Sequence, residues 1–278
     1  MIFYDQRGGG RSELPEDDAG LEAVRFVEDL EAVRKHFDLE TLNLLAHSFG
    51  AVLVARDAQE HPEWVARLAL IGATGPRRAL AAPRPREEAS PEDRELQHRI
   101  RDAVVPLLEG TAEDPAAACR QYEALLEEQA LLAGEPQGWQ GSSCDAPPEA
   151  VAYYFARTAQ ITPRSFGDWD FTQALDRVSA PVLVVTGDRD SAAPDQQQDW
   201  ADAYPNGRLL VVPGAGKAAI ATHAGTDKRC QPTRWGDGPI VAIPASPRPR
   251  GRPGDDSSGG IGRAGRFPAP EASFGHLT

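Results

Sequence analysis

The 278-residue sequence has no apolar run long enough to span a bilayer, and its first residues, Asp5, Arg7 and Arg11 among them, lack the make-up of a secretory leader. A cytoplasmic location is therefore expected. Positive charge is in short supply: 29 Lys and Arg stand against 42 Asp and Glu, for a net charge of −13 and a pI near 4.9. That is the wrong sign for gripping a nucleic-acid duplex or an anionic membrane, so neither is expected as a partner. Cysteine is scarce as well. Cys119, Cys144 and Cys230 are widely spaced, odd in number and without a C-x-x-C pair, which suggests neither a disulfide framework nor a zinc site. The glycines at 8–10 complete neither of the two glycine-rich phosphate-loop patterns, so a nucleotide site is rejected there.

What is present is a length and an apolar fraction, 41%, sufficient for a sizeable core. A short β-like run at 2–4 leads into a glycine-rich turn. Asp17 and Asp18 can cap a helix in which Leu21, Val24, Val27, Leu30, Val33 and Phe37 recur every three or four residues, with His36 on the solvated side. An apolar strand at 42–45 follows, then a helix from about 49 to 60 that stops at His61-Pro62, then a strand at 65–71. Strands alternating with helices imply parallel pairing through right-handed crossovers, hence a doubly wound α/β core. Residues 1–75 are assigned to its first part. From 76 to 170 the character changes to charged helical segments, at 92–108 and 116–132, which reads as an inserted helical cap ending in an aromatic helix with Tyr153, Tyr154 and Phe155. The core pattern returns over 171–216, with strands at 181–186 and 208–212 around a helix at 196–204.

From Gly214 onward the text changes again. Of those 65 residues 20 are Gly or Pro, and they carry 9 basic against 5 acidic side chains, leaving −17 on the residues before them. Such a composition does not bury a core, so 217–278 is expected to be a low-complexity, disordered tail.

The chemistry is expected at Ser48. The apolar strand breaks into Ala-His-Ser-Phe-Gly at 46–50 and resumes with small residues, a variant of the G-x-S-x-G nucleophile elbow in which Ala46 and Gly50 let strand and helix approach closely. Taken alone, a serine between apolar segments is as readily a turn or an N-cap. The α/β context favours the elbow, because sites in such folds form at the carboxyl ends of the strands. Asp190 ends another buried strand, in Gly-Asp-Arg-Asp at 187–190; by itself it is more often a loop cap than an acid of a triad.

Together these residues resemble the α/β-hydrolase superfamily and, within it, the proline iminopeptidase-like group, over about residues 1–216. The segments that carry the likeness are Phe-Tyr-Asp-Gln-Arg-Gly-x-Gly-x-Ser at 3–12, the elbow, His61-Pro62-Glu63 and Gly-Asp-Arg-Asp at 187–190. The resemblance implies a mostly parallel sheet with an inserted cap, a cofactor-independent serine hydrolase of peptide, amide or ester bonds, Ser48 as nucleophile, Asp190 as triad acid and the Phe49 N–H as an oxyanion donor. By the same resemblance Glu123 in the cap is suggested to bind a substrate amine, although its context favours a surface helix carboxylate, and His47, beside the nucleophile, is a further candidate for the substrate site. The implied partner is a small molecule or short peptide. Epoxide hydrolases and haloalkane dehalogenases of this superfamily normally carry Asp at the elbow, so Ser48 favours peptides, amides or esters.

The sequence departs from the family pattern twice. Relatives carry a region before the Asp-Gln-Arg-Gly strand, including a central strand whose loop supplies a second oxyanion donor. Without it, the strand at 2–4 and the elbow strand are expected either to close on each other or to leave backbone groups unpaired. The family histidine follows Pro-Gly-Ala-Gly, where this chain has Lys217. A reading-frame shift near codon 217, or an incorrect gene model, is the expected cause, with a genuine basic tail as the alternative. The candidate bases that remain are His47, which in the family points elsewhere, and His223, while His98 and His276 have no supporting context. Two other functions stay open: a catalytically dead fragment or ligand-binding pseudo-hydrolase, and a carboxylesterase.

Overall fold

A computed structural model of the chain describes residues 2–80, 90–132, 142–190, 194–216 and 240–243. Six parallel strands form one sheet in the order β1-β6-β2-β3-β4-β5: β1 (Ile2–Phe3), β2 (Leu42–His47), β3 (Val65–Ile71), β4 (Val182–Gly187), β5 (Gly207–Val212) and β6 (Ile240–Ile243). Helices α1 (Ala23–His36), α2 (Gly50–Glu60) and α7 (Pro194–Asp202) belong to this layered core. Helices α3 (Pro91–Leu108), α4 (Pro115–Leu132), α5 (Pro148–Tyr153) and α6 (Ala159–Ser165) form the insertion between β3 and β4. The strands at the centre read as continuous apolar runs, as parallel strands covered on both faces must. Leu44 and Ala46 of β2, Leu68 and Leu70 of β3 and Val184 of β4 lie in one buried cluster with α1 and α2.

Helix α1 has a slightly different inward face from the expected one. A 3-10 turn, Asp18–Leu21, capped by the Asp17 carboxylate, precedes it and resets the helical phase. Phe26, Val27, Leu30 and Val33 are buried, whereas Val24 and Phe37 are exposed. His36 is exposed, as expected.

The central departure concerns the tail. Four of its residues, Ile240–Ile243, form β6 and occupy the slot between β1 and β2, pairing Val241 with Ile2 and Leu44, and Ala242 with Phe3 and Leu45. Neither expected alternative for β1 and β2 occurs: they do not close on each other, and the side of β2 away from β3 is paired. The reason is local. Ile-Val-Ala-Ile is an apolar, largely β-branched tetrapeptide inside a Gly/Pro-rich stretch, and an open ladder edge next to a core selects such a segment. The rest of the expected tail, 217–239 and 244–278, lies outside the described residues.

The insertion has its own small core, in which Leu107, Val151 and Phe155 surround a disulfide between Cys119 of α4 and Cys144. This corrects the expectation drawn from cysteine spacing. The two residues are 25 apart in sequence, but the pairing of α4 with the 3-10 turn Ser143–Asp145 brings their Cα atoms to 5.5 Å. Tyr153 and Tyr154 are half-buried and Phe155 is buried, so the aromatic helix is mainly core, and a single π-helical turn, Tyr154–Thr158, joins α5 to α6. No helix among the described residues is long and apolar enough to cross a membrane.

A chain ended after residue 239 would leave the β6-facing N–H and C=O groups of alternate residues within 43–46 without partners. At about 1–3 kcal/mol for each unsatisfied group, several of them rival a typical domain stability of about 5–15 kcal/mol. We expect the shortened chain to lose its cooperative unfolding transition, or to show a lower midpoint, with faster amide exchange in β2. An unchanged transition would show that β6 contributes nothing to the sheet.

Candidate active site

Ser48 is the residue between β2 and α2 and has φ of 54°, one of two non-glycine residues with positive φ among those described. The left-handed region costs an L-residue roughly 1–2 kcal/mol, so it persists only where the surroundings fix it. Here they do. The Ser48 N–H donates to the Ile71 carbonyl (3.1 Å), and the Ser48 carbonyl accepts from the N–H groups of Thr74 and Ala51, each at 3.1 Å. Ala46 is fully buried at the position where the motif has its first glycine, so its methyl group is accommodated in the core.

The adjoining backbone is braced from α7. Buried Gln197 donates through Nε2 to the Ala73 carbonyl (2.7 Å), and the Trp200 Nε1 donates to the Thr74 carbonyl (2.7 Å), the same Thr74 whose N–H holds Ser48. Sequence reasoning missed both residues. A Gln and a Trp three positions apart on a helix read only as a helix face.

Phe49 is the N-cap of α2, and its ring meets Phe166 and Trp169 edge-on at 5.4 and 6.0 Å. Among the described residues its N–H has no protein acceptor. It therefore lies at the electropositive start of a helix and is available to an anion at Ser48. His47 is the half-buried last residue of β2.

Asp190 ends the turn after β4 and is buried, with its Oδ2 accepting from Thr186 Oγ1 (3.3 Å). Because β2 and β4 are parallel and flank β3, Ser48 and Asp190 leave the sheet at the same end. The strands that lead to them are two strand spacings apart, roughly 10 Å. The turn is fixed from the next strand: Asp188 Oδ1 accepts from the Gly214 N–H (2.8 Å), and the Ala215 carbonyl accepts from the Arg189 N–H (3.0 Å). Gly187 permits this approach, since a Cβ there would lie 1.8 Å from the Ala215 oxygen. The chain thus reaches Gly216 beside the Asp190 turn. His223 lies outside the described residues.

Glu123 is not the solvent-facing helix carboxylate that its sequence context favours. It is half-buried and accepts from Ser143 N (3.0 Å), Ser143 Oγ (2.6 Å) and Ser142 Oγ (2.5 Å), all within the insertion. Glu123, Cys119 and Cys144 bring their ligand atoms within 4.8 Å of one another, but the two sulfurs are bonded to each other. The motif at 3–12 joins core to insertion: Arg7 forms a two-point ion pair with Asp29, and the Gly8 carbonyl accepts from buried Thr158 Oγ1 (2.8 Å).

A serine held left-handed between a parallel strand and a helix, with a carboxylate at the end of a later strand, defines the class of site found in α/β hydrolases. The sequence pattern of the alpha/beta hydrolase fold matches residues 1–224, and the chain belongs to that family. It is similar to a proline iminopeptidase of Lactiplantibacillus plantarum (strain ATCC BAA-793 / NCIMB 8826 / WCFS1), 26% identical over 77% of this chain and 74% of that one. A bifunctional esterase/perhydrolase of Acinetobacter calcoaceticus is 25% identical over 81% and 78%. Among solved structures, an alpha/beta fold family hydrolase from Bacillus anthracis str. Sterne superposes with a TM-score of 0.58 at 18% identity, covering 80% of this chain and 77% of that one. The last comparison shows the shared fold.

One buried carboxyl on the helix behind Ser48 sets a pH dependence. Asp57 of α2 is 2% exposed, and burial first, then Glu31 and Glu60, push its carboxyl up from 3.8 to about 7, with Arg34 acting in the opposite sense. Between these values the folded chain holds a proton that the unfolded chain has released, so this group favours folding most below about pH 4 and the benefit is lost as pH rises to about 7. We expect Asp57→Asn to match the wild type in urea denaturation near pH 4 and to exceed it at pH 8 by up to about 4 kcal/mol. Equal stability at both pH values would contradict this.

Proposed function

We propose that the chain is a serine hydrolase that cleaves a peptide, amide or ester bond, most like a proline iminopeptidase that releases an N-terminal residue. The observation that carries the reading is Ser48 at φ 54°, pinned between Ile71 and Thr74 at the start of α2. In the proposed reaction Ser48 Oγ attacks the substrate carbonyl carbon and a histidine accepts its proton. Asp190 holds that imidazole, and the Phe49 N–H receives the oxyanion. The imidazolium then returns the proton to the leaving amine, and water attacks the acyl-serine to release the product. His223 takes the base role, supported by the position of Gly216 beside the Asp190 turn. No cofactor enters this chemistry, and the proposed location is cytoplasmic. Similarity to both an iminopeptidase and an esterase keeps the bond class broad, and the Asp-Gln-Arg-Gly motif favours the peptidase. Glu123 does not bind the substrate amine in this reading, because three internal donors already occupy its carboxylate.

A second reading, a ligand-binding hydrolase fold without turnover, is favoured by one observation: Lys217 stands where the family pattern has its histidine. Hydrolysis of a prolyl anilide and a short-chain nitrophenyl ester separates the two. The first reading expects turnover, faster on the anilide, that is abolished in Ser48→Ala and falls by roughly 10⁶ in His223→Ala. No turnover by the wild type supports the second reading, and turnover unaffected by Ser48→Ala contradicts the first.

A further inference from the structure

The disulfide and Glu123 act on the same element. Cys119 and Glu123 are four residues apart on α4 and so share one face of the helix. Cys119 is bonded to Cys144, while the Glu123 carboxylate accepts the three hydrogen bonds from Ser142 and Ser143. Ser142 Oγ also accepts from the Cys144 N–H (3.1 Å), so the covalent and the hydrogen-bonded attachments form a single network. The turn before α5 is thus fastened to α4 at two points one helical turn apart.

That turn is also a wall. Ser143 and Ala146 line a narrow cavity of about 10 Å³ together with Val151, Tyr154 and Phe155, and Gly10 of the motif at 3–12 lines it from the core side. At about the volume of one water, it holds no substrate while the turn stays fastened. A larger ligand between this part of the insertion and the core requires one of these walls to move, and the turn is the wall that the disulfide and Glu123 hold.

We infer that Cys119 and Cys144 are a reversible redox clasp, which sets whether the turn at 142–146 is locked to α4 or free to move away from the core. A low-molecular-weight dithiol opens the clasp by thiol–disulfide exchange. Two electrons and two protons pass to the cysteine pair, which becomes two thiols, and the reductant leaves as its own disulfide. Both sulfurs are buried, so exchange runs through local opening of the turn. Opening leaves Glu123 as the remaining attachment, and side-chain hydrogen bonds of that kind break far more readily than a covalent bond. In a reducing compartment such as the cytoplasm the pair is held open until an oxidant appears; in an oxidising one it stays closed. The inference concerns the insertion and stands whether or not Ser48 turns over substrate.

The test uses the full chain and needs no substrate. After equilibration with glutathione disulfide, alkylation of unfolded protein followed by peptide mass spectrometry should find Cys119 and Cys144 blocked, and both modified once dithiothreitol is added. Amide exchange across 142–151 should accelerate roughly a hundredfold on reduction, with β2 and β3 unchanged, and should return on treatment with glutathione disulfide. Cys119→Ser/Cys144→Ser should exchange as the reduced wild type does and ignore the reductant, while Glu123→Gln should keep the bond and loosen the turn partially. Free thiols at both positions after equilibration with glutathione disulfide, or exchange at 142–151 that reduction leaves unaltered, would each overturn the inference.

Discussion

The structure depends on one strained residue. A serine in the left-handed region is unfavourable in isolation, and Ser48 holds it because its N–H and its carbonyl are both committed to the backbone that continues β3. Much of the surrounding chain serves that arrangement. β3 supplies the Ile71 carbonyl, the loop after it supplies the Thr74 N–H, and Gln197 and Trp200 of α7 hold that loop from the side of Asp190. The elbow is thus braced from α7, the helix that follows the Asp190 turn, and such fixed geometry is what the proposed reaction would need of its groups.

That assembly is only as firm as the sheet beneath it. β2 delivers Ser48, and an unpaired side on β2 would put unsatisfied backbone groups next to the elbow. β6 supplies the pairing with four residues from a stretch whose composition argues against any core element. A strand needs few residues when its partners are already in place and its side chains are apolar and β-branched. Position in the sheet here outweighs the composition of the surrounding segment.

Most of the α/β core was legible because its signals are local. The strand at 65–71 coincides with β3, and the breaks at Ser48 and Asp190 fall at the ends of β2 and β4. What was not legible depends on contacts between distant residues. The disulfide needs the insertion to be folded before 25 residues of separation become 5.5 Å. Glu123 reads as a surface carboxylate until Ser142 and Ser143 are folded back onto α4. Gln197 and Trp200 acquire a role only from the loop after β3. β6 was hidden for the opposite reason, since its own apolar signal is clear over four residues and its Gly/Pro-rich flanks mask it. His223, the base of the proposed reaction, lies outside the described residues, and Lys217 stands where the family pattern has its histidine.

The central claim is that Ser48 is an activated nucleophile, and covalent capture tests it most directly. A fluorophosphonate reacts with a serine in such an environment and leaves a stable adduct that peptide mass spectrometry can place. The account predicts one adduct, on the peptide that contains Ser48, and none in Ser48→Ala. Equal labelling of both proteins, an adduct elsewhere in the chain, or no adduct on the wild type would contradict it.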